Sequence, residues 1–160
     1  MLYYCIMNQI NKVNLAMQIE QYNSDNIYFS EPANNNIINN GYFYRLQYSN
    51  NNITLNYLLF SLRLQDVLLI KYFNKYKCVF NGPNQLLTRL KEIEINMLSK
   101  IKSTKTPKYN LYEQIKNNCI KFFSTNQYSD RPPPFNILFK VSGIWEDDKH
   151  YGITYKCYDT

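Results

Sequence analysis

Strict two-residue alternation near the end of the chain constrains its fold more than any other feature. Phe135, Ile137, Phe139 and Val141 alternate with Asn136, Leu138, Lys140 and Ser142. After the acidic loop Glu146-Asp147-Asp148, Tyr151, Ile153, Tyr155 and Cys157 alternate with Gly152, Thr154, Lys156 and Tyr158. A period of two in β-branched and aromatic residues specifies half-buried strands. The segment therefore predicts a hairpin over about 135–158, with the one Trp, Trp145, at the end of its first strand. Trp145 has two readings there: a ring that stacks a base at the mouth of a groove, or a cap on the core.

The same pattern recurs upstream. Lys12 to Tyr22 alternates, with Val13, Leu15, Met17 and Ile19 on one face. Ile27-Tyr28-Phe29 predicts a short strand stopped by Pro32, and 33–40 an Asn-rich loop. Tyr42–Tyr48 predicts a strand, Ser49–Asn52 a turn and Ile53–Leu64 its hairpin partner, because Asn tolerates the backbone angles of a tight turn. Gln65-Asp66 predicts a second turn into one long strand, Val67–Phe80. Asn81-Gly82-Pro83 then breaks the pattern and starts a helix. Leu86, Leu90, Ile93, Met97 and Ile101 recur at helical spacing, so their stripe faces a core. A basic linker at 102–108 holds Pro107. Asn110 followed by Glu113 is a capping-box-like start, and Leu111, Ile115, Cys119, Phe122 and Phe123 predict a second helix. Arg131 and three prolines fall in a loop before the closing hairpin.

These elements predict a single β-rich α+β domain of 160 residues. Strands occupy about 12–80, helices about 84–123, and the hairpin closes the chain. An OB-fold-like antiparallel barrel with two inserted helices fits the count and order. A sandwich flanked by two helices fits nearly as well.

Net charge is +6 and the isoelectric point is about 9.0, a balance that suits an anionic partner or simply solubility. The chain holds 16 Tyr and 9 Phe but only 4 Gly. Ile, Asn, Lys, Tyr and Phe share AT-rich codons, so part of this bias records coding. Cys5, Cys78, Cys119 and Cys157 are far apart and form no C-x-x-C pair, which argues against zinc. Met1 to Met7 lacks a basic lead and a long apolar run, so no signal peptide is expected. No stretch is long and apolar enough to cross a bilayer. Free thiols without an export signal place the chain in a reducing compartment, the cytoplasm. His150 beside Lys149 and the acidic loop is the one constellation that resembles a catalytic or metal group, and loop tips collect such residues for solvation alone. No phosphate-binding glycine motif or activated nucleophile is recognisable. The expectation is a non-catalytic protein with no cofactor and no metal.

The cationic and aromatic residues suggest another chemistry. On a single Val67–Phe80 strand, Lys71, Phe73, Lys75 and Lys77 would share one face, and on the neighbouring strand Phe43 and Arg45 would share another. With Arg63 and Lys140 as further phosphate contacts, and Phe43, Phe73 and Trp145 as stacking rings, these make a platform for single-stranded nucleic acid. Each residue has its plainer reading as a solvated lysine or a packed ring. Nothing resembles a helix-turn-helix, a zinc finger or a basic zipper.

Gly41–Ser49, Ile53–Asn56, Val141–Glu146 and Tyr151–Lys156 resemble segments of small replication-associated proteins of large cytoplasmic DNA viruses and of linear cytoplasmic yeast plasmids. The resemblance runs from Gly41 to Lys156. It implies a single-stranded DNA-binding protein with an OB-fold core, acting in viral or plasmid DNA replication in the host cytoplasm or a viral factory. It also implies replication proteins as partners. Many such proteins end in an acidic tail that recruits enzymes, whereas this chain ends Lys156-Cys157-Tyr158-Asp159-Thr160. Single-strand platforms serve RNA equally. The alternative is a structural or host-interaction protein of the same kind of genome, its aromatic sheet packed against protein.

Overall fold

A computed structural model describes residues 4–8, 12–35, 37–38, 40–81, 84–129 and 134–159. The chain opens with strands β1 (Tyr4–Asn8), β2 (Lys12–Gln18), β3 (Ile27–Phe29) and β4 (Ala33–Asn34). Next come β5 (Tyr42–Ser49), β6 (Thr54–Leu55), β7 (Leu58–Leu64), β8 (Leu68–Tyr72) and β9 (Lys75–Val79). Helix α1 (Asn84–Leu98), β10 (Thr106–Lys108), α2 (Asn110–Ile115) and β11 (Cys119–Phe123) follow, and β12 (Phe135–Glu146) and β13 (His150–Asp159) end the fold. The class is β-rich α+β. No helix among the described residues is long and apolar enough to cross a membrane.

The predicted C-terminal hairpin is the centre of a ten-stranded sheet. β12 pairs with β13 along one edge, from Ile137↔Asp159 to Glu146↔Tyr151, with a bulge between Val141 and Gly143. Its other edge is divided: β7 pairs with Phe135–Val141 and β5 with Gly143–Glu146. β2 joins β7 in parallel, β1 joins β2 and β10 joins β13 in parallel. Pro107, which has no N–H to give a ladder, sits in the edge strand β10. The sheet runs from β1 to β10 and does not close into a barrel. β8, β9 and β11 form a separate three-stranded sheet, ordered β11-β9-β8.

Four sequence expectations are corrected. The 42–64 hairpin is two rungs long, Tyr48↔Leu55 and Ser49↔Thr54. Beyond it β7 leaves β5 for β12, because its Leu and Phe side chains are buried on both faces and need a central position. Val67–Phe80 is not one strand but a hairpin, turning at Phe73-Asn74, with Phe73 at φ 54°. The second helix stops at Ile115. Asn118 then turns at φ 51°, and Cys119–Phe123 becomes a strand paired with β9. The expected strand at 12–22 ends at Gln18 and passes into a 3-10 turn, Ile19–Gln21. The helix start at Gly82-Pro83 and the Arg131 proline run lie outside the described residues.

One apolar cluster joins the inner face of the large sheet (Phe60, Ile137, Phe139, Ile144), α1 (Leu90, Ile93, Met97) and the inner face of the small sheet (Tyr76, Cys78, Phe122). The predicted helical stripe of α1 is therefore core. Glu94 sits on the same buried side, with no solvent exposure. Its carboxylate accepts the Leu111 N–H at 3.0 Å and the Tyr112 N–H at 2.8 Å. These are N–H groups of the first turn of α2, whose N-cap residue, Tyr109, makes no side-chain capping hydrogen bond. The expected Asn110 cap is thus replaced by a carboxylate from another helix.

Burial raises the Glu94 pKa, while the Tyr112 and Leu111 N–H groups oppose the rise. The folded protein holds this proton more tightly than the unfolded chain. The contribution of Glu94 to stability is therefore fullest below the ordinary value of 4.5, and declines as pH rises through the raised folded value. Urea melts at several pH values should show that decline, and Glu94→Gln should flatten it. Glu94→Ala, which orphans both N–H groups, should lose about 3 kcal/mol.

Candidate nucleic-acid interface

Cross-strand partners share a face of a sheet. Along β13 the alternation is unbroken, with Ile153 in the core, so Gly152, Thr154, Lys156 and Tyr158 face outward. Their partners are Trp145, Gly143, Lys140 and Leu138. On the divided edge, Trp145 pairs with Phe43 and Gly143 with Arg45, while Lys140 pairs with Leu59 and Asn136 with Arg63. Phe43, Arg45, Arg63, Lys140 and Trp145 therefore lie on one outward face of the large sheet.

Two glycines seat the two rings. A Cβ on Gly143 would come within 2.6 Å of Phe43 Cζ and 2.2 Å of the Tyr44 carbonyl oxygen. A Cβ on Gly152 would come within 3.1 Å of Trp145 Cζ2 and Nε1. Each ring thus lies across a position without a side chain, half-buried, with one side left toward solvent. Trp145 is on the outward face, not over the core as its second reading would have it.

Arg45, Lys140 and Lys156 have no carboxylate on the outward strand positions around them. Lys140 and Lys156 sit directly opposite each other, an unfavourable placement for like charges unless an anion joins them. The Lys140 ammonium also lies 4.4 Å from the centre of the Tyr57 ring. Arg45 and Lys156 are exposed. The outward positions of β5, β7, β12 and β13 hold no Asp or Glu.

The remaining predicted residues are elsewhere. Lys75 and Lys77 lie on the outward face of the small sheet. Lys71 pairs with Tyr76 on its opposite face, with its ammonium 5.8 Å from that ring. Phe73 occupies the β8–β9 turn. The expected single patch thus divides in two. Arg63 also lines a cleft of about 1000 Å³ beside α1, where it and Arg89 face Glu20, Asp66 and Glu92. That lining offers little net charge to an anion. Lys156 was not singled out from the sequence, although it sits in the same alternation as Lys140.

The acidic loop is a turn device. The Asp147 carboxylate accepts the backbone N–H groups of Lys149 at 2.7 Å and His150 at 2.6 Å, which hold its pKa below the ordinary value. His150 Nδ1 stands 3.8 Å from it. Among the described residues, no group of three or more His, Cys, Asp or Glu is placed to hold a metal ion. Burial pushes the Cys78 and Cys157 thiols up to about 12, away from the thiolate form a nucleophile needs.

Comparison with family models, curated proteins and solved structures finds no match to this chain. Gly143→Ala should drive Cβ into the backbone of β5 and displace Phe43. A loss of about 3 kcal/mol is expected in urea denaturation, with a changed near-ultraviolet circular dichroism spectrum.

Proposed function

We propose that this protein binds single-stranded DNA across the outward face of its large sheet, without catalysis and without a cofactor. The observation that carries the reading is the adjacent Phe43 and Trp145 rings, set beside Arg45, Lys140 and Lys156 on a face free of carboxylates. Half-exposed rings offer flat apolar surfaces to unpaired bases, and the cations meet the phosphates between them. The face carries a small buried cluster, Ala16, Leu59 and Leu138, at its β2–β7 end. Among the described residues both helices pack on the core side, so no helix on it would enter a duplex groove, which favours unpaired strands. The platform works as an OB-fold surface does, with strands carrying the nucleic acid. The biological setting we propose is replication of a viral or plasmid genome in the cytoplasm, where the protein shields exposed strands and meets replication proteins. RNA of the same single-stranded form would meet the same face.

Binding should quench Trp145 fluorescence when a thymidine oligonucleotide is added, with duplex far weaker, and should fall steeply with salt. Trp145→Ala should weaken binding by about 1–3 kcal/mol. Arg45→Ala and Lys156→Ala should each lower the slope of log affinity against log salt by about 1. Absence of quenching and of any binding at low salt would sink the reading and leave the face to a protein partner.

A further inference from the structure

The β8–β9 hairpin ends in a residue that two preferences disfavour. Phe73 is 95 % exposed, although burial of its ring would be favourable. Its φ of 54° lies in the left-handed region, which Gly or Asn occupies readily and a bulky side chain does not. Asn74 stands next in the turn, yet it is Phe73 that takes the positive angle. An exposed aromatic held against its backbone preference marks a tip with a task.

The charges around the tip identify the task. Lys71 lies on one face of the ribbon, and Lys75, paired with Tyr72, lies on the other. From Lys75 the outward face continues through Lys77 to Lys121, cross-strand partners of each other, with Phe123 61 % exposed beneath the Lys75 ammonium at 4.8 Å. No carboxylate occurs on β8, β9 or β11. A ring with a cation on each side fits a flat apolar end between two diverging phosphate backbones. The terminal base pair where a duplex opens into single strands has that form. The Lys75–Lys77–Lys121 track then follows one of the separated strands. A membrane surface would meet the tip and leave that track unused.

We propose that Phe73 is a wedge that enters the junction between double-stranded and single-stranded nucleic acid. The proposal rests on the nucleic-acid reading above but uses a different surface. The test is a forked duplex with 2-aminopurine beside the junction, compared with a single strand and a blunt duplex of the same length. Phe73→Asn is the variant, since Asn accepts the left-handed angle, and a thermal melt at or above that of the native protein confirms that it folds.

The native protein should bind the fork about tenfold more tightly than the single strand, the gain from one added stack, and should raise 2-aminopurine fluorescence. Phe73→Asn should lose both effects and keep its single-strand affinity. Equal affinity for fork and single strand, or unchanged 2-aminopurine emission, would overturn the wedge and leave the large-sheet interface standing. No binding to any of the three would overturn both readings. Phe73-dependent binding to vesicles of phosphatidylserine and phosphatidylcholine, without a 2-aminopurine response, would replace the junction with a membrane.

Discussion

One strand edge organises this protein. β12 is long enough to pair with β7 before its bulge and with β5 after it, while β13 follows it on the other side. Every residue of the proposed interface belongs to β12 or to a strand hydrogen-bonded to it. The bulge between Val141 and Gly143 marks the change of partner, where an extra residue bends a strand and strengthens its twist. Without it, Trp145 and Lys140 would not share a face with the unbroken alternation of β13.

Much of this was legible. The hairpin was readable because one face is core and the other is not, which forces a strict period of two. The helical stripe of α1 was readable for the corresponding reason. What failed to read were places where neighbours decide. Leu58–Leu64 looks like a hairpin partner for β5, but its two buried faces draw it between β2 and β12. The Val67–Phe80 turn carries only Asn74 as a signal, because an aromatic residue takes the positive-φ position that Gly or Asn would announce. Cys119–Phe123 continues an apolar pattern that also suits a helix, and the turn that separates the two, Lys116–Asn118, is only three residues long. The site followed the same division. Phe43, Arg45 and Arg63 share a face, which the bulge of β12 extends to Lys140 and Trp145, whereas Lys71 parts from Lys75 at the Phe73-Asn74 turn.

Glu94 shows how a buried carboxyl group can serve architecture. A helix of six residues is too short to be stable by itself. Here α2 is held by apolar contacts through Leu111 and Ile115 and by a carboxylate on its first N–H groups. The same contact ties α1 to the segment that leads into β11, and so joins the two sheets through their helices.

The division of β12 between partners also bears on when the protein can act. β5 and β7 leave the ribosome well before the strand that brings them together. Contacts between segments so far apart form late and slowly, since the intervening chain must first be closed into a loop. Until residues up to about 158 have emerged, Phe43 has no Trp145 beside it and Arg45 no second row of cations. A growing chain therefore carries the components of the platform but not the platform. If the completed face binds single strands as proposed, the growing chain would pass along its own messenger without gripping it.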